Sequence, residues 1–99
     1  MRQHESMVEK AFCAWCDENS ILQSKLSDQG RRGFPDRTVF LNNGHVLFIE
    51  FKKPGGGKVG PHQDDWADRV VTRHHAYLLT DNLSAAKLFV SQYKRKAVR

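Results

Sequence analysis

Ninety-nine residues make one domain with a small core. Sixteen Lys and Arg against eleven Asp and Glu leave +5, with a pI near 9.5, which points to a polyanionic partner, nucleic acid or a membrane surface. The chain starts Met-Arg-Gln-His-Glu-Ser and has no apolar run of membrane length, which argues against a signal peptide or a membrane span and predicts a soluble intracellular protein.

Residues 4–18 read as a helix with Val8, Ala11, Phe12, Trp15 and Cys16 on one stripe. At 100° per residue Glu5 falls in the middle of that stripe and Glu9 nearer its edge. An acid centred on an apolar face is costly unless something pairs with it. So close to the terminus, however, Glu5 can equally face water or favour the first turn against the helix dipole. Cys13 and Cys16 both fall inside this helix. A redox pair would need a strand before it and a helix starting at the first Cys, and a zinc site a second ligand pair. Two reduced cysteines in or near the core are expected.

Asn19-Ser20 ends the helix, and 21–26 can form a first strand carrying Lys25. A polar loop, 27–33, brings Arg31 and Arg32 immediately before Asp36, where two adjacent arginines suit the backbone of a nucleic-acid strand. Residues 38–41 and 45–51 are rich in β-branched and aromatic residues, and Asn42-Asn43-Gly44 between them reads as a hairpin turn. With a three-residue loop closed by a left-handed Gly44, Leu41 faces His45 and Asp36 lies opposite Glu50, Cβ atoms roughly 5 Å apart. A two-residue loop would set Asp36 opposite Phe51 instead, and the three-residue loop is the one expected. Alternation puts Lys52 on the face of Glu50.

Two carboxylates that close repel each other unless a cation sits between them. All-oxygen ligands favour a hard ion, Mg²⁺ or Mn²⁺. A lysine two residues on can hold the attacking water or stabilise charge developing on a phosphate. The plainer alternative is a surface hairpin with a salt bridge.

The loop that follows, 53–60, has three consecutive glycines and the lysines Lys53 and Lys58, but not the phosphate-loop pattern; it is read as a flexible loop able to close over DNA. Pro61 opens a second helix with Gln63, Trp66, Ala67 and Val70 on its buried face and Arg73, His74 and His75 at its end. Residues 76–80 form a short strand. Asp81 or Asn82 then caps a last helix with Leu83, Ala86, Leu88, Phe89 and Val90 as its apolar surface. Lys94, Arg95, Lys96 and Arg99 make a basic tail, expected to fray and to add non-specific attraction to DNA. The order is α-β-β-β-α-β-α, three strands in an antiparallel meander and a fourth returning by a helical crossover to lie parallel.

Pro35-Asp36, the hairpin and Glu50-x-Lys52 together resemble the Pro-Asp…(Asp/Glu)-x-Lys nucleases. Gly33-Phe34-Pro35-Asp36-Arg37, the run from Phe48 to Gly56 and Gln63 are more closely similar to the virus-type replication-repair nuclease (VRR-NUC) domain, over about residues 5–89. The resemblance implies an α/β, restriction-endonuclease-like core with a mixed four-stranded sheet flanked by helices. It implies an endonuclease that hydrolyses phosphodiester bonds in DNA with Mg²⁺, Mn²⁺ substituting, and leaves 5′-phosphate and 3′-hydroxyl ends. Asp36, Glu50 and the Phe51 backbone carbonyl would hold the metal, and Lys52 would orient or help deprotonate the water. The family's helix-one Glu supports the metal site, which favours Glu5 over Glu9. Gln63 coincides with the family's Gln near that site, and Lys25 with a lysine that touches phosphate. Stand-alone members are dimeric and cut four-way junctions in DNA repair and phage processes, whereas embedded ones act as monomers on flaps. A homodimeric Holliday-junction resolvase, phage-encoded and acting in a host cell, is therefore expected ahead of three alternatives: a monomeric flap or nicking nuclease, a non-catalytic basic DNA-binding module and a thiol redox protein.

Overall fold

The computed structural model describes residues 6–26, 33–52 and 61–99, with side chains from residue 66 onward in the last stretch. Helix α1 (Met7–Glu18) starts at an extended Ser6, whose hydroxyl accepts the Glu9 amide at 3.0 Å. It begins later than the apolar spacing suggested, because this cap already satisfies a first-turn donor. The helix closes in a Schellman motif: Ile21 N–H reaches the Cys16 carbonyl at 2.8 Å and Ser20 N–H that of Asp17 at 3.3 Å, with Ser20 left-handed at φ 56°.

Three strands follow, β1 (Leu22–Ser24), β2 (Arg37–Phe40) and β3 (Val46–Phe51). β2 pairs antiparallel with both β1 and β3. The β2–β3 turn is the three-residue Asn42-Asn43-Gly44: Leu41 N–H bonds the His45 carbonyl at 2.9 Å, and Gly44 takes φ 89°. The crossover helix α2 (Pro61–Thr72) returns the chain to β4 (Ala76–Thr80), parallel to β3. α2 ends as α1 does. His74, at φ 64°, and His75 donate to the Val71 and Val70 carbonyls, both at 2.9 Å, so this His pair terminates a helix. The last helix, α3 (Leu83–Lys94), is capped by Asn82, whose side chain accepts the Ala85 amide at 3.0 Å. The sheet order is β1-β2-β3-β4, so the α-β-β-β-α-β-α order and the mixed sheet are as expected.

One sheet face carries the main core, where Phe12 and Cys16 of α1 and Ala86 and Val90 of α3 pack on Val39, Leu47, Ile49 and Phe51. Ala11, expected on the stripe of α1, is exposed, whereas Glu9 is only 4% exposed. Phe12 and Cys16 set the inner azimuth, and Glu9, seven residues before Cys16, shares it. Leu88 of α3, also expected to be buried, is 54% exposed. Cys16 is a free thiol in the core, and Cys13 is half-buried. Burial, with Cys13 and Asp17 adding to it, pushes the Cys16 thiol up to about 12.

The tail expected to fray is instead held against the β2–β3 turn. Asn43 donates from Nδ2 to the Tyr93 and Lys96 carbonyls at 2.8 and 3.3 Å. Arg99 N–H reaches the Asn43 carbonyl at 2.9 Å, and His45 Nε2 lies 2.8 Å from the Ala97 carbonyl. The turn supplies unpaired polar groups that a free tail would leave to water. Among the described residues no helix is long and apolar enough to cross a membrane.

Candidate active site

The site forms where β2 and β3 part. Their last ladder pair is Arg37↔Ile49, and one more step in the same register brings Asp36 beside Glu50. Lys52 N–H bonds the Thr80 carbonyl on the β4 side at 3.0 Å. The Phe51 amide, one residue earlier, points the other way, toward a strand that has ended. Asp36 takes its place: Oδ2 accepts the Phe51 N–H at 2.8 Å. A residue's N–H and C=O lie on the same side of a strand, so the Phe51 carbonyl also faces the Asp36 side.

Gly33-Phe34-Pro35 delivers Asp36 to that position. Pro35 is buried and fixes φ before the carboxylate. The Phe34 ring meets Trp66 of α2 edge-on at 4.7 Å and Phe48 of β3 at 6.3 Å, and Phe48 in turn meets His75 at 6.4 Å. α2 therefore covers the face that carries Phe48 and Glu50, opposite the main core. Glu50 is 2% exposed. Lys52, half-buried, follows it by two residues and so shares its face. Thr38 is also on this face; its buried hydroxyl has no hydrogen-bond partner among the described residues.

Glu9 belongs to the other face. Arg37 points away from Asp36, as neighbours on a strand must, and donates from Nε to Glu9 Oε2 at 2.8 Å and from Nη1 to Gln23 Oε1 at 3.2 Å. Lys25 Nζ stands 3.5 Å from the same Glu9 oxygen. The buried acid on the apolar face of α1 is thus neutralised by Arg37 of β2 and by Lys25, just past the end of β1. Arg37 was not singled out from the sequence. The signal was there in Glu9, since an acid turned toward a core needs a cation.

Glu5, Arg31, Arg32, Lys53 and Lys58 lie outside the described residues. Gln63 lies in the first turn of α2, one turn ahead of Trp66, and its side chain lies outside them too. Among the described residues no group of three or more His, Cys, Asp and Glu is placed to hold a metal ion. The register sets the Asp36 and Glu50 carboxylates side by side, with the Phe51 carbonyl on the Asp36 side of its strand. Mg²⁺ commonly takes one or two carboxylates and completes its shell with water and substrate oxygens, so these donors fit a hard divalent ion.

No family model matches the chain. "Putative nuclease p44" of Acyrthosiphon pisum secondary endosymbiont phage 1 is 33% identical over 78 residues, 79% of this chain and 83% of the relative. A solved structure described as a VRR_NUC domain superposes with a TM-score of 0.76 at 29% identity, covering 87% of this chain and 92% of the other. The chain belongs to the VRR-NUC nucleases. This VRR-NUC domain has Pro35-Asp36 immediately ahead of the strand entering the hairpin and Glu50-x-Lys52 at the end of the strand leaving it, with α2 packed over the same face. The thiol redox alternative is excluded by the same structure, because Cys16 lies in the core and neither cysteine opens a helix.

Proposed function

We propose that the chain is a metal-dependent DNA endonuclease, and that it acts as a homodimer on four-way junctions. The observation that carries the nuclease reading to particular residues is Asp36 beside Glu50 at the end of the β2–β3 ladder, with Lys52 on the same face. A divalent ion bound there supplies Lewis-acid stabilisation of the scissile phosphate and of the leaving oxygen. Asp36 and Glu50 hold that ion, and the Phe51 carbonyl adds a neutral oxygen. Asp36 is kept in place by the Phe51 amide, so it is pre-positioned before DNA arrives. Lys52 orients the attacking water and stabilises negative charge developing on the phosphoryl oxygens. Glu5 supports the metal site from the chain ahead of α1, and Gln63 does so from the first turn of α2. Arg31, Arg32, Lys53 and Lys58 grip the scissile strand's phosphates, whereas Lys25, expected beside them, is engaged by Glu9 on the opposite face.

The junction reading rests on symmetry. Resolving a two-fold-symmetric junction takes two paired nicks, one chain carries one site, and a C₂ dimer supplies the second. The test is Mg²⁺-dependent cutting of a panel of duplex, flap and four-way junction DNAs, with sedimentation at micromolar concentration. Paired nicks in junctions by a dimer are expected. A monomer that cuts flaps and spares junctions would replace the resolvase reading and leave the nuclease standing.

A further inference from the structure

The basic tail is a fixed surface at the far end of the sheet from Asp36 and Glu50. Residues 81–99 carry Lys87, Lys94, Arg95, Lys96 and Arg99 against Asp81 as the single acid, so most of the chain's excess charge is here. Lys94, Arg95, Lys96 and Arg99 are all exposed. Asp17 and Glu18 close the nearby α1, yet among the described residues no ion pair joins a carboxylate to any of these four cations. Their backbone does not wander. Asn43 grips it at Tyr93, Lys96 and Arg99, and His45 grips it at Ala97. The Lys96 ammonium sits 5.1 Å over the Tyr93 ring.

Beside the tail lies a cleft of about 280 Å³ whose walls include Asn19, Ser20, Asn42, Asn43 and Lys94. Ile21, Phe40 and Leu41 complete the lining, and Lys94 is its one charged side chain. An ammonium beside neutral polar groups can hold a phosphate oxygen. The six residues of β3 set this turn roughly 20 Å from Glu50, at about 3.3 Å per residue. No single phosphate can touch both.

We infer that the docked tail and the β2–β3 turn, with Lys94 on the cleft and Arg95, Lys96 and Arg99 exposed on the same pinned tail, form a second binding surface for duplex DNA, which holds a different segment of the substrate from the one at Asp36 and Glu50. This rests on the nuclease acting on DNA, and it deepens that reading by naming where a second arm is held. A tail pinned by the turn keeps its cations at fixed spacing, so binding loses less chain entropy than it would with a frayed tail.

The experiment is fluorescence-anisotropy binding in EDTA, which needs no cleavage. A four-way junction is compared with a duplex one helical turn long. One variant combines Lys94→Gln, Arg95→Gln, Lys96→Gln and Arg99→Gln. Another, Asn43→Ala, keeps every charge but removes the side-chain hydrogen bonds that hold the tail at Tyr93 and Lys96. Circular dichroism and urea midpoints establish that both fold. The neutralised variant is expected to lose about tenfold or more on the junction, with a salt slope shallower by roughly two to four units, and less than about threefold on the short duplex, which one surface can hold. Asn43→Ala should lose part of the junction affinity. Equal losses on both DNAs would overturn the second surface. So would an Asn43→Ala variant that binds the junction like the parent, or a neutralised variant that keeps the junction and loses phosphatidylserine vesicles instead. If the parent binds DNA but cuts none in Mg²⁺, the nuclease reading fails while the binding surface is judged separately.

Discussion

Arg37 donates from Nε to Glu9 Oε2 at 2.8 Å, joining α1 to β2 across 28 positions of sequence. Both side chains are largely buried, 13% and 5% exposed. Arg37 is the neighbour of Asp36 on the strand, so this pair anchors on one face the backbone that aims a carboxylate on the other. Removing one partner of a buried pair leaves an uncompensated charge. Arg37→Ala is expected to destabilise the fold by about 3 kcal/mol in urea unfolding. Changing Glu9→Leu and Arg37→Met together should recover most of that loss. A cost for Arg37→Ala below about 1 kcal/mol would mean that Lys25 alone satisfies Glu9.

The site carboxylates should matter for cutting more than for binding. Asp36→Asn and Glu50→Gln are expected to abolish Mg²⁺-dependent cleavage, with DNA affinity in Ca²⁺ changing by less than about tenfold, roughly 1.4 kcal/mol. Near-parental cutting by Glu50→Gln would remove the site assignment.

Lys52 should act on the chemical step. Lys52→Ala is expected to lower the single-turnover rate by on the order of 10²-fold. Lys52→Arg should restore it only in part, because a planar guanidinium cannot occupy the same point-charge position. A variant that binds DNA weakly yet cuts normally at saturation would make Lys52 a phosphate anchor.

The pairing of Leu41 with His45 sets that of Asp36 with Glu50. Deleting Asn42 leaves Asn43-Gly44, a two-residue hairpin turn between the same closing pair, so the strands keep their register and faces. Cutting should survive the deletion; its loss together with most of the stability would mean that the strands slip by one residue and turn Val39 and Ile49 out of the core. Gly44→Ala tests the same turn gently. At φ 89°, with an added Cβ 3.4 Å from the Arg99 Cβ, it should destabilise the fold by about 1 kcal/mol and keep the cutting pattern. A shift in cleavage position or product ends for Gly44→Ala would speak against a purely structural turn.

Cys16 gives a pH dependence whose sign is fixed by burial. Its thiol ordinarily titrates near 9.0 and in the folded chain near 12. The folded state therefore binds the proton more tightly, and this contribution to stability is complete below about 9 and is lost as pH rises toward 12. Cys16→Ala should flatten the alkaline end of the stability profile while lowering stability overall, through the cavity it leaves. Alkylation of native protein at pH 8 should spare Cys16. Rapid labelling there would mean that the first helix opens.

Local chemistry made much of this chain legible in order. Asn42-Asn43-Gly44 allows one favoured hairpin geometry, and that geometry fixes Asp36 against Glu50, because strand side chains alternate strictly. β4 was equally plain, and the cap of the last helix was narrowed to Asp81 or Asn82, since short-range propensities and capping groups act within a few residues. The readings that the structure changed depend on partners far away in the chain. A helix stripe defines an azimuth only to within a residue. Whether Glu9 sits at the edge or deep inside was decided by Arg37 and Lys25, which reach α1 only once β1 and β2 are paired. The tail reads from its own residues as a solvated basic run. It is ordered by Asn43 and His45, about fifty positions earlier in the sequence. Hydrogen bonds between such distant segments leave no periodicity to read, and only the folded sheet brings their two halves together.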